Sequence, residues 1–529
     1  MENGEDKSEK RKEKIKNWLK NPYNLALVGI LIFAFAIRLY YFSLTKSQPL
    51  WWDEAEYMST AKSFAGIVDV DYKLALNRFP GFPFLVSLFY MAGISNEVIL
   101  KFLLAFIPSL IAIVLIYFLL VSMYSDKRIA LISTAILTVL WEHVFYSNRF
   151  HTENSALIFQ FLALIILFGV YLKDKDFYFI KSKHALFWIF LFSILAILFR
   201  AQNAPFVPAI VLFLVIINFY KIPKKLRTAS AIGLIVLAVA GYTIIDFLSR
   251  RSVLISHFYQ YSNPPDWTNL SVFYGFYQSF VPNLPSIFFY SFLIGIIAVI
   301  GGIIIFPEGL KKVSKNVKDN SHKADIFNLI LIAGFLFFFI FILRAGGFEY
   351  RWFFAFLPGM LAFTAKGLIK AGDYAQSMLK IKYLSVFLIL ILLCLGIYTQ
   401  INHADMIIKN KLDSYSQVRD SGLWLKENSN PEDIIISGSI FQHAYYAERK
   451  IIYPPENETD FDQLINDSNP KYLVISVFQP LPEWTYDWPQ RNNETVVPVQ
   501  AYFTDNSKQQ VTLIIYQFDY QQNGEKQGI

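Results

Sequence analysis

PGFPFLVSLFYMAG, residues Pro80–Gly93, is apolar along its whole length yet only 14 residues long. A helix rises 1.5 Å per residue, so this piece reaches about 21 Å, short of the roughly 30 Å of hydrocarbon that a span must cross. It reads as an interfacial or re-entrant segment. Whether it crosses decides the sidedness of everything after it. If it stays on one side, four basic loops share the cytoplasmic side with the N-terminus, as the positive-inside bias demands. They hold Lys173, Lys175, Lys181 and Lys183; Lys221, Lys224, Lys225 and Arg227; Lys311, Lys312, Lys315 and Lys318; and Lys380 and Lys382. If it crosses, all four flip outside.

Around that segment lie about eleven runs long enough to span, approximately residues 24–44, 100–122, 129–147, 155–172, 184–200, 204–220, 229–248, 285–306, 326–344, 351–370 and 383–400. The 529 residues are 55% hydrophobic and 17% charged, and the mean hydropathy is +0.38. That excess excludes a soluble enzyme, a disordered chain and a collagen. The 51 Phe, 31 Tyr and 10 Trp suit interfacial and lipid-facing surface. The net charge of +7 lies in short loops between apolar runs, so no nucleic-acid partner is expected. The single cysteine, Cys394, sits inside an apolar run and can form no intrachain disulfide. The first run follows a Lys-rich start and has no small-residue cleavage site before Trp51, so it reads as a retained anchor.

The expected fold is a polytopic α-helical membrane protein of about eleven spans with a C-terminal extracytoplasmic α/β domain. Residues 1–23 form a cytoplasmic basic tail, 24–400 the transmembrane domain and 401–529 the outer domain. The tail is rich in Asp, Asn, Gln and Pro. An amphipathic stretch at Ser416–Glu427 and apolar runs at Asp433–Ser437, Tyr472–Val477 and Val511–Phe518, the last after a turn-like Thr504–Lys508, give a mixed α/β pattern. It has no Gly-rich phosphate loop and no Cys or His cluster. The N-x-S/T triplets at Asn269, Asn457, Asn466 and Asn493 all fall on the expected outer side.

Charges on that side are few and gather at the mouths of spans. WWDEAEYMSTAKSFAG follows the first span, and Asp53 and Glu56, three apart, share a helix face. Carboxylates this close to hydrocarbon cost free energy without partners. They are functional groups or a solvated acidic turn behind the anchors Trp51 and Trp52, and both readings stay open. SNRFHTENSA carries Asn148, Arg149, His151 and Glu153 where the chain re-enters the membrane. His151 and Glu153 with Asp53 are one candidate divalent-ion set, while Arg149 is placed to snorkel. Arg200 ends a span in LFRAQNAP, and Arg344, Glu349, Tyr350 and Arg351 lie in RAGGFEYRWFFAFLP. The positive-inside bias disfavours arginines there. A phosphate held through bidentate guanidinium contacts gives one reason for them, and an Arg–Glu structural pair such as Arg351 with Glu153 gives the other.

These residues match a pattern. Asp53-Glu54 after the first span, the Pro-rich FPGFPF at Phe79–Phe84, the acidic Glu153 in the second outer loop, a late Arg-Tyr-type loop and an outer tail containing VRDSGLWLKENSNPEDIIISG resemble membrane glycosyltransferases of the GT-C superfamily. The dolichyl-phosphate-mannose protein mannosyltransferase and aminoarabinose transferase branch is the most similar. The resemblance implies transfer of a sugar from a polyprenyl-phosphate carrier to a protein, lipid or glycan acceptor on the outer face, with inversion. By position Asp53 is its general base, Glu54 the acidic neighbour and Glu153 the second-loop acid. Arg200, Arg351, Tyr350 and Arg344 fall where donor-phosphate contacts are expected, with Glu56, Arg149, His151 and Glu349 in support. The chain departs from the pattern in Glu349-Tyr350-Arg351, in Arg200 where a Lys is common, and in lacking a β-trefoil insertion.

A hydroxyl acceptor is a weak nucleophile at neutral pH, so a carboxylate that takes its proton lowers the barrier. A fixed guanidinium stabilises the departing lipid phosphate, and no cofactor is then required, a divalent metal remaining the open alternative. The expected partners are a polyprenyl-phosphate-linked sugar, an extracytoplasmic acceptor and membrane lipids, in a plasma membrane. An oligosaccharyltransferase is the nearest alternative, but WWD at Trp51–Asp53 is misplaced for a peptide-reading motif and WTYDW at Trp484–Trp488 is a poor substitute. A lipid or polysaccharide transporter would carry related halves, and no repeat is visible.

Overall fold

The computed structural model describes residues 13, 16–69, 78–178, 180–218, 286–305, 321–337, 350–504 and 509–520. In chain order the main helices are α1 (Pro22–Thr45), α2 (Trp52–Phe64), α3 (Gly81–Met91), α4 (Glu97–Tyr124), α5 (Lys127–Val139), α6 (Trp141–Tyr146), α7 (Glu153–Tyr171), α8 (Ser182–Phe199), α9 (Ala201–Asn218), α10 (Ser286–Ile305), α11 (Ser321–Phe337), α12 (Arg351–Leu379) and α13 (Leu384–Asn410). Helices α14 (Ser416–Asn428), α15 (Ile440–Ala447), α16 (Glu458–Ser468) and α17 (Trp484–Arg491) follow. They alternate with β1 (Ile434–Ser437), β2 (Lys450–Ile452), β3 (Tyr472–Ser476), β4 (Val496–Phe503) and β5 (Val511–Phe518). The chain divides into two compact units, Met1–Leu44 with Phe102–Lys409, and Thr45–Lys101 with Asn410–Ile529.

Seven of the described helices, α1, α4, α7, α8, α9, α12 and α13, are long and apolar enough to cross a membrane. They match seven of the expected spans, and α10 and α11 match parts of two more, while residues 229–248 lie outside the described residues. One expected span is corrected. Residues 129–147 are not one helix, because Leu140 adopts φ −51° and ψ 116° and separates α5 from α6. The freed Trp141 N–H donates to Gln400 Oε1 on α13 at 2.8 Å, and this side chain lets the helix break inside protein without an orphaned donor. The decisive Pro80–Gly93 segment forms the 11-residue α3, too short to span. Helix α13 runs past residue 400, where the composition changes, to Asn410.

The membrane unit is held by close helix contacts as well as by apolar bulk. Helices α10 and α12 touch backbone to backbone, since a Cβ on Gly367 would sit 1.7 Å from the Ser291 carbonyl oxygen and one on Gly295 1.9 Å from that of Phe363. Small residues at such crossings let helices gain dispersion contact where lipid gives no hydrophobic drive. On α4, Ala112, Ile113, Ile116, Leu119, Leu120 and Met123 are buried at helical spacing in the same core.

The second unit is an α/β layer. Its sheet runs β2-β1-β3-β5-β4, with β1 parallel to β2 and β3 and β5 antiparallel to β3 and β4. Ile436 pairs with Leu473 across β1 and β3, and both enter a core with Phe461, Trp488, Val496 and Phe518. The expected Ser416–Glu427, Asp433–Ser437, Tyr472–Val477 and Val511–Phe518 segments are α14, β1, β3 and β5. Strands β2 and β4 carry weaker signals, β2 by its three-residue length and β4 by Pro498 and an irregular register. In the same unit α2 packs on α3, with the Tyr57 and Phe82 rings edge to face at 5.7 Å.

Candidate active site

The polar residues singled out above form two constellations, one in each unit. In the first, α2 begins at Trp52 with Asp53 and Glu54 in its first turn and Lys62 in its last, charges that complement the helix dipole. The Glu54 carboxylate turns back to accept from the Trp51 N–H at 3.0 Å and is buried, so it closes the helix start and does not face solvent. Asp53 and Glu56 do share a face. Both accept from Arg78, whose Nη2 lies 2.8 Å from Asp53 Oδ1 and whose Nε lies 2.8 Å from Glu56 Oε2. Their side chains are 17% and 8% exposed, and one guanidinium fork bridges the two carboxylates. Asp53 is the more open of the two. Arg78 is absent from the expected set, although it stands two residues before Pro80.

The second constellation lies where α7, α8 and α12 begin or end. Arg200 leaves the helical path at the end of α8, with φ −149° and ψ 112°, and the Asn203 amide donates back to the Ala196 carbonyl. The Arg200 side chain reaches Glu153 at the start of α7, Nη1 to Oε1 2.5 Å, and its Nη2 donates to the Arg351 carbonyl at 3.3 Å. Arg351 Nη1 stands 3.8 Å from Glu153 Oε1 and 3.4 Å from His151 Nδ1. His151 Nδ1 is 3.7 Å from Glu153 Oε2. The expected Arg351–Glu153 pair is present at 3.8 Å, and Arg200 is a second and closer partner of Glu153. Glu153 is fully buried and Arg200 is 5% exposed. Glu153 thus sits between the guanidinium groups of Arg200 and Arg351.

Arg149 does not snorkel. It is 3% exposed and its guanidinium lies over the Phe145 ring at 5.3 Å. Arg344, Glu349 and the Tyr350 side chain lie outside the described residues. Among the described residues no group of three His, Cys, Asp or Glu side chains is gathered to hold a metal ion. The aromatic residues of WTYDW are structural, Trp488 packing on Phe461 at 5.0 Å in the sheet core. A buried polar knot went unread in the sequence: Arg38 of α1 donates to the Thr138 carbonyl at 3.0 Å and meets His143 Nδ1 at 2.6 Å. Its signal is an arginine inside an apolar run.

No protein-family model and no curated protein sequence matches the chain. Solved structures do match by shape. The apo oligosaccharyltransferase of Archaeoglobus fulgidus superposes with a TM-score of 0.58 at 15% identity, covering 87% of this chain and 70% of that one. ArnT from Cupriavidus metallidurans, in the apo state, gives 0.53 at 13% identity over 92% of this chain and 98% of that one. The same protein bound to undecaprenyl phosphate gives 0.51 at 13% identity over 93% and 97%. The chain has the GT-C fold. In this chain the Asp53 constellation lies just after the first long helix, and the Glu153 constellation lies at helix ends, so both sit where loops leave apolar spans.

Proposed function

We propose that this GT-C protein transfers a sugar from a polyprenyl-phosphate carrier to an acceptor on the outer face of the membrane, with inversion. The observation that carries the reading is the end-to-end match to ArnT, whose structure was solved with undecaprenyl phosphate bound. The two guanidinium groups gathered at Glu153, the donor type that binds phosphate through paired N–H groups, support it chemically. Arg351 is 13% exposed at its side chain and takes the carrier phosphate, while Arg200 holds Glu153 and, through the Arg351 carbonyl, the turn that presents the Arg351 guanidinium.

In transfer, Asp53 accepts the proton of the acceptor hydroxyl as that oxygen attacks the anomeric carbon from the face opposite the phosphate. The carbon–oxygen bond to the carrier breaks, and the charge that develops on the lipid phosphate is met by guanidinium already in place. Arg78 holds the Asp53 carboxylate in place at 2.8 Å. No metal enters this account, and a divalent ion remains the competing reading, to be decided by activity after chelation.

Asp53→Asn keeps the shape but not the basicity. Transfer from an undecaprenyl-phosphate-linked hexose to native membranes should fall on the order of 10² to 10⁴-fold. Undecaprenyl phosphate affinity and melting temperature should hold. Near-normal turnover by this variant removes Asp53 from the mechanism.

A further inference from the structure

The chain leaves β1 toward β2 on one side and returns to β3 on the other, so the crevice outside the carboxyl ends of β1 and β3 is a topological switch point. Open α/β sheets take their ligands there. At the carboxyl ends of these strands stand Ser437, which closes β1, Gly438 and Ser439 after it, Gln442 on α15 and Gln479 after β3, all buried. Gly438 permits the tight approach, since a Cβ there would meet Leu481 Cδ2 at 2.7 Å.

The Gln479 amide has the Gly438 carbonyl on one side and the Trp52 indole N–H on the other. In one orientation Gln479 Nε2 donates to Gln442 Oε1 at 2.9 Å and leaves Gly438 and Trp52 unmatched; turned over, Nε2 donates to the Gly438 carbonyl and Oε1 accepts from Trp52 Nε1 at 3.2 Å. Gln442 stands 2.9 Å from that same oxygen, and turning its amide gives its otherwise unpartnered Nε2 an acceptor. Trp52 is still 39% exposed. Its polar edge is thus held by buried protein amides, which separates it from an interfacial anchor that bonds lipid headgroups. More tethers run the same way: the Leu50 N–H donates to Tyr446 Oη at 2.9 Å, Arg419 Nη1 to the Ser47 carbonyl at 3.1 Å, and Lys62 Nζ to the Tyr445 carbonyl at 2.9 Å.

We infer that the switch-point crevice of the C-terminal domain takes Trp52 as its internal ligand, and that Gln479 and Gln442 are positioning residues for Asp53, the next residue in the chain. This inference rests on the reading of Asp53 as the general base. Trp52, Asp53 and Glu56 lie within about 100° of arc on α2 by helix geometry, so rotating the indole moves the carboxylates that Arg78 holds.

The test uses the full chain in lipid nanodiscs with the variants Gln479→Ala, Trp52→Phe and both together. Trp52→Phe keeps an aromatic six-membered ring and removes the pyrrole half of the indole with its N–H. Each single variant should lower kcat by about tenfold to a hundredfold, the range for a mispositioned catalytic group. KM for an undecaprenyl-phosphate-linked hexose and affinity for undecaprenyl phosphate should stay unchanged. Amide exchange across residues 50–58 should speed up, and the double variant should be no worse than either single one, because both remove the same bond. Should Gln479→Ala fold poorly, Trp52→Phe carries the test alone. Wild-type kcat and wild-type exchange in Trp52→Phe, beside an inactive Asp53→Asn, overturn the positioning role while leaving the base in place. An active Asp53→Asn overturns the functional reading, and the exchange measurement then still reports whether the crevice holds α2.

Discussion

Arg200 and Arg351 read alike as sequence, each an arginine at the mouth of a span, and their surroundings separate them. Arg200 is buried and is the close partner of a fully buried carboxylate. Arg200→Ala should therefore strand Glu153 and cost about 3–5 kcal/mol, seen as a large drop in the melting temperature of the detergent-solubilised protein. Arg351 stands farther from Glu153 and is more open. Arg351→Lys keeps the charge but loses the planar fork, so undecaprenyl phosphate binding should weaken by about 1–3 kcal/mol with the melting temperature near wild type. An equal loss of stability in the two variants would make Arg351 a structural partner as well. Glu54 shows the limit of position in the chain. It stands beside Asp53 in sequence, yet its carboxylate is spent on the Trp51 N–H.

Strand β1 and helices α14 and α15 meet at His443, whose ring bridges two serines: Nδ1 to Ser437 Oγ at 2.7 Å and Nε2 to Ser421 Oγ at 3.0 Å. Ser421 Oγ already donates to the Val418 carbonyl, so it accepts from the ring and the proton sits on Nε2. Burial pushes His443 down to about 3. The unfolded chain takes up a proton near pH 6.5 and the folded one does not until about 3, so more protons bind the unfolded state in that window. Stability then falls as pH drops from 6.5 toward 4, by up to about 1.4 kcal/mol per pH unit. Melting temperatures of the full chain and of His443→Gln across this range check it, the variant losing less. Parallel slopes would discount His443. The α5–α6 break teaches the same lesson for a helix: an apolar run suggested one span, and one long-range bond from Gln400 allowed two pieces.

For the whole molecule, the proposed arrangement has the N-terminus inside and the C-terminal domain outside, argued from the basic loops and from the short reach of α3. In a Cys394→Ser background, a cysteine placed at Asn466, exposed on α16, should react with an impermeant reagent on intact cells. A cysteine at Lys224 should react only after permeabilisation. The opposite pattern would mean that the Pro80–Gly93 region crosses. The division into units gives the C-terminal domain a wider reach than its composition implies, because residues 45–101 belong to the same compact unit.

Apolar length and charge bias made the membrane class, seven of the spans, the short α3 and three of the five strands legible in one dimension, since each follows from a local period or from the solvent a segment must meet. Asp53, Glu56, Glu153, Arg200 and Arg351 were legible as candidates for the same reason: a charge beside hydrocarbon needs a cause. Their partners were not. Arg78 under the two carboxylates, Arg200 beside Arg351 on Glu153, and Gln479 on the Trp52 indole join residues 25, 47 and 427 positions apart in the chain. Hydrogen bonds of that reach leave no period in the sequence, and only the packing of the folded chain decides which donor meets which acceptor.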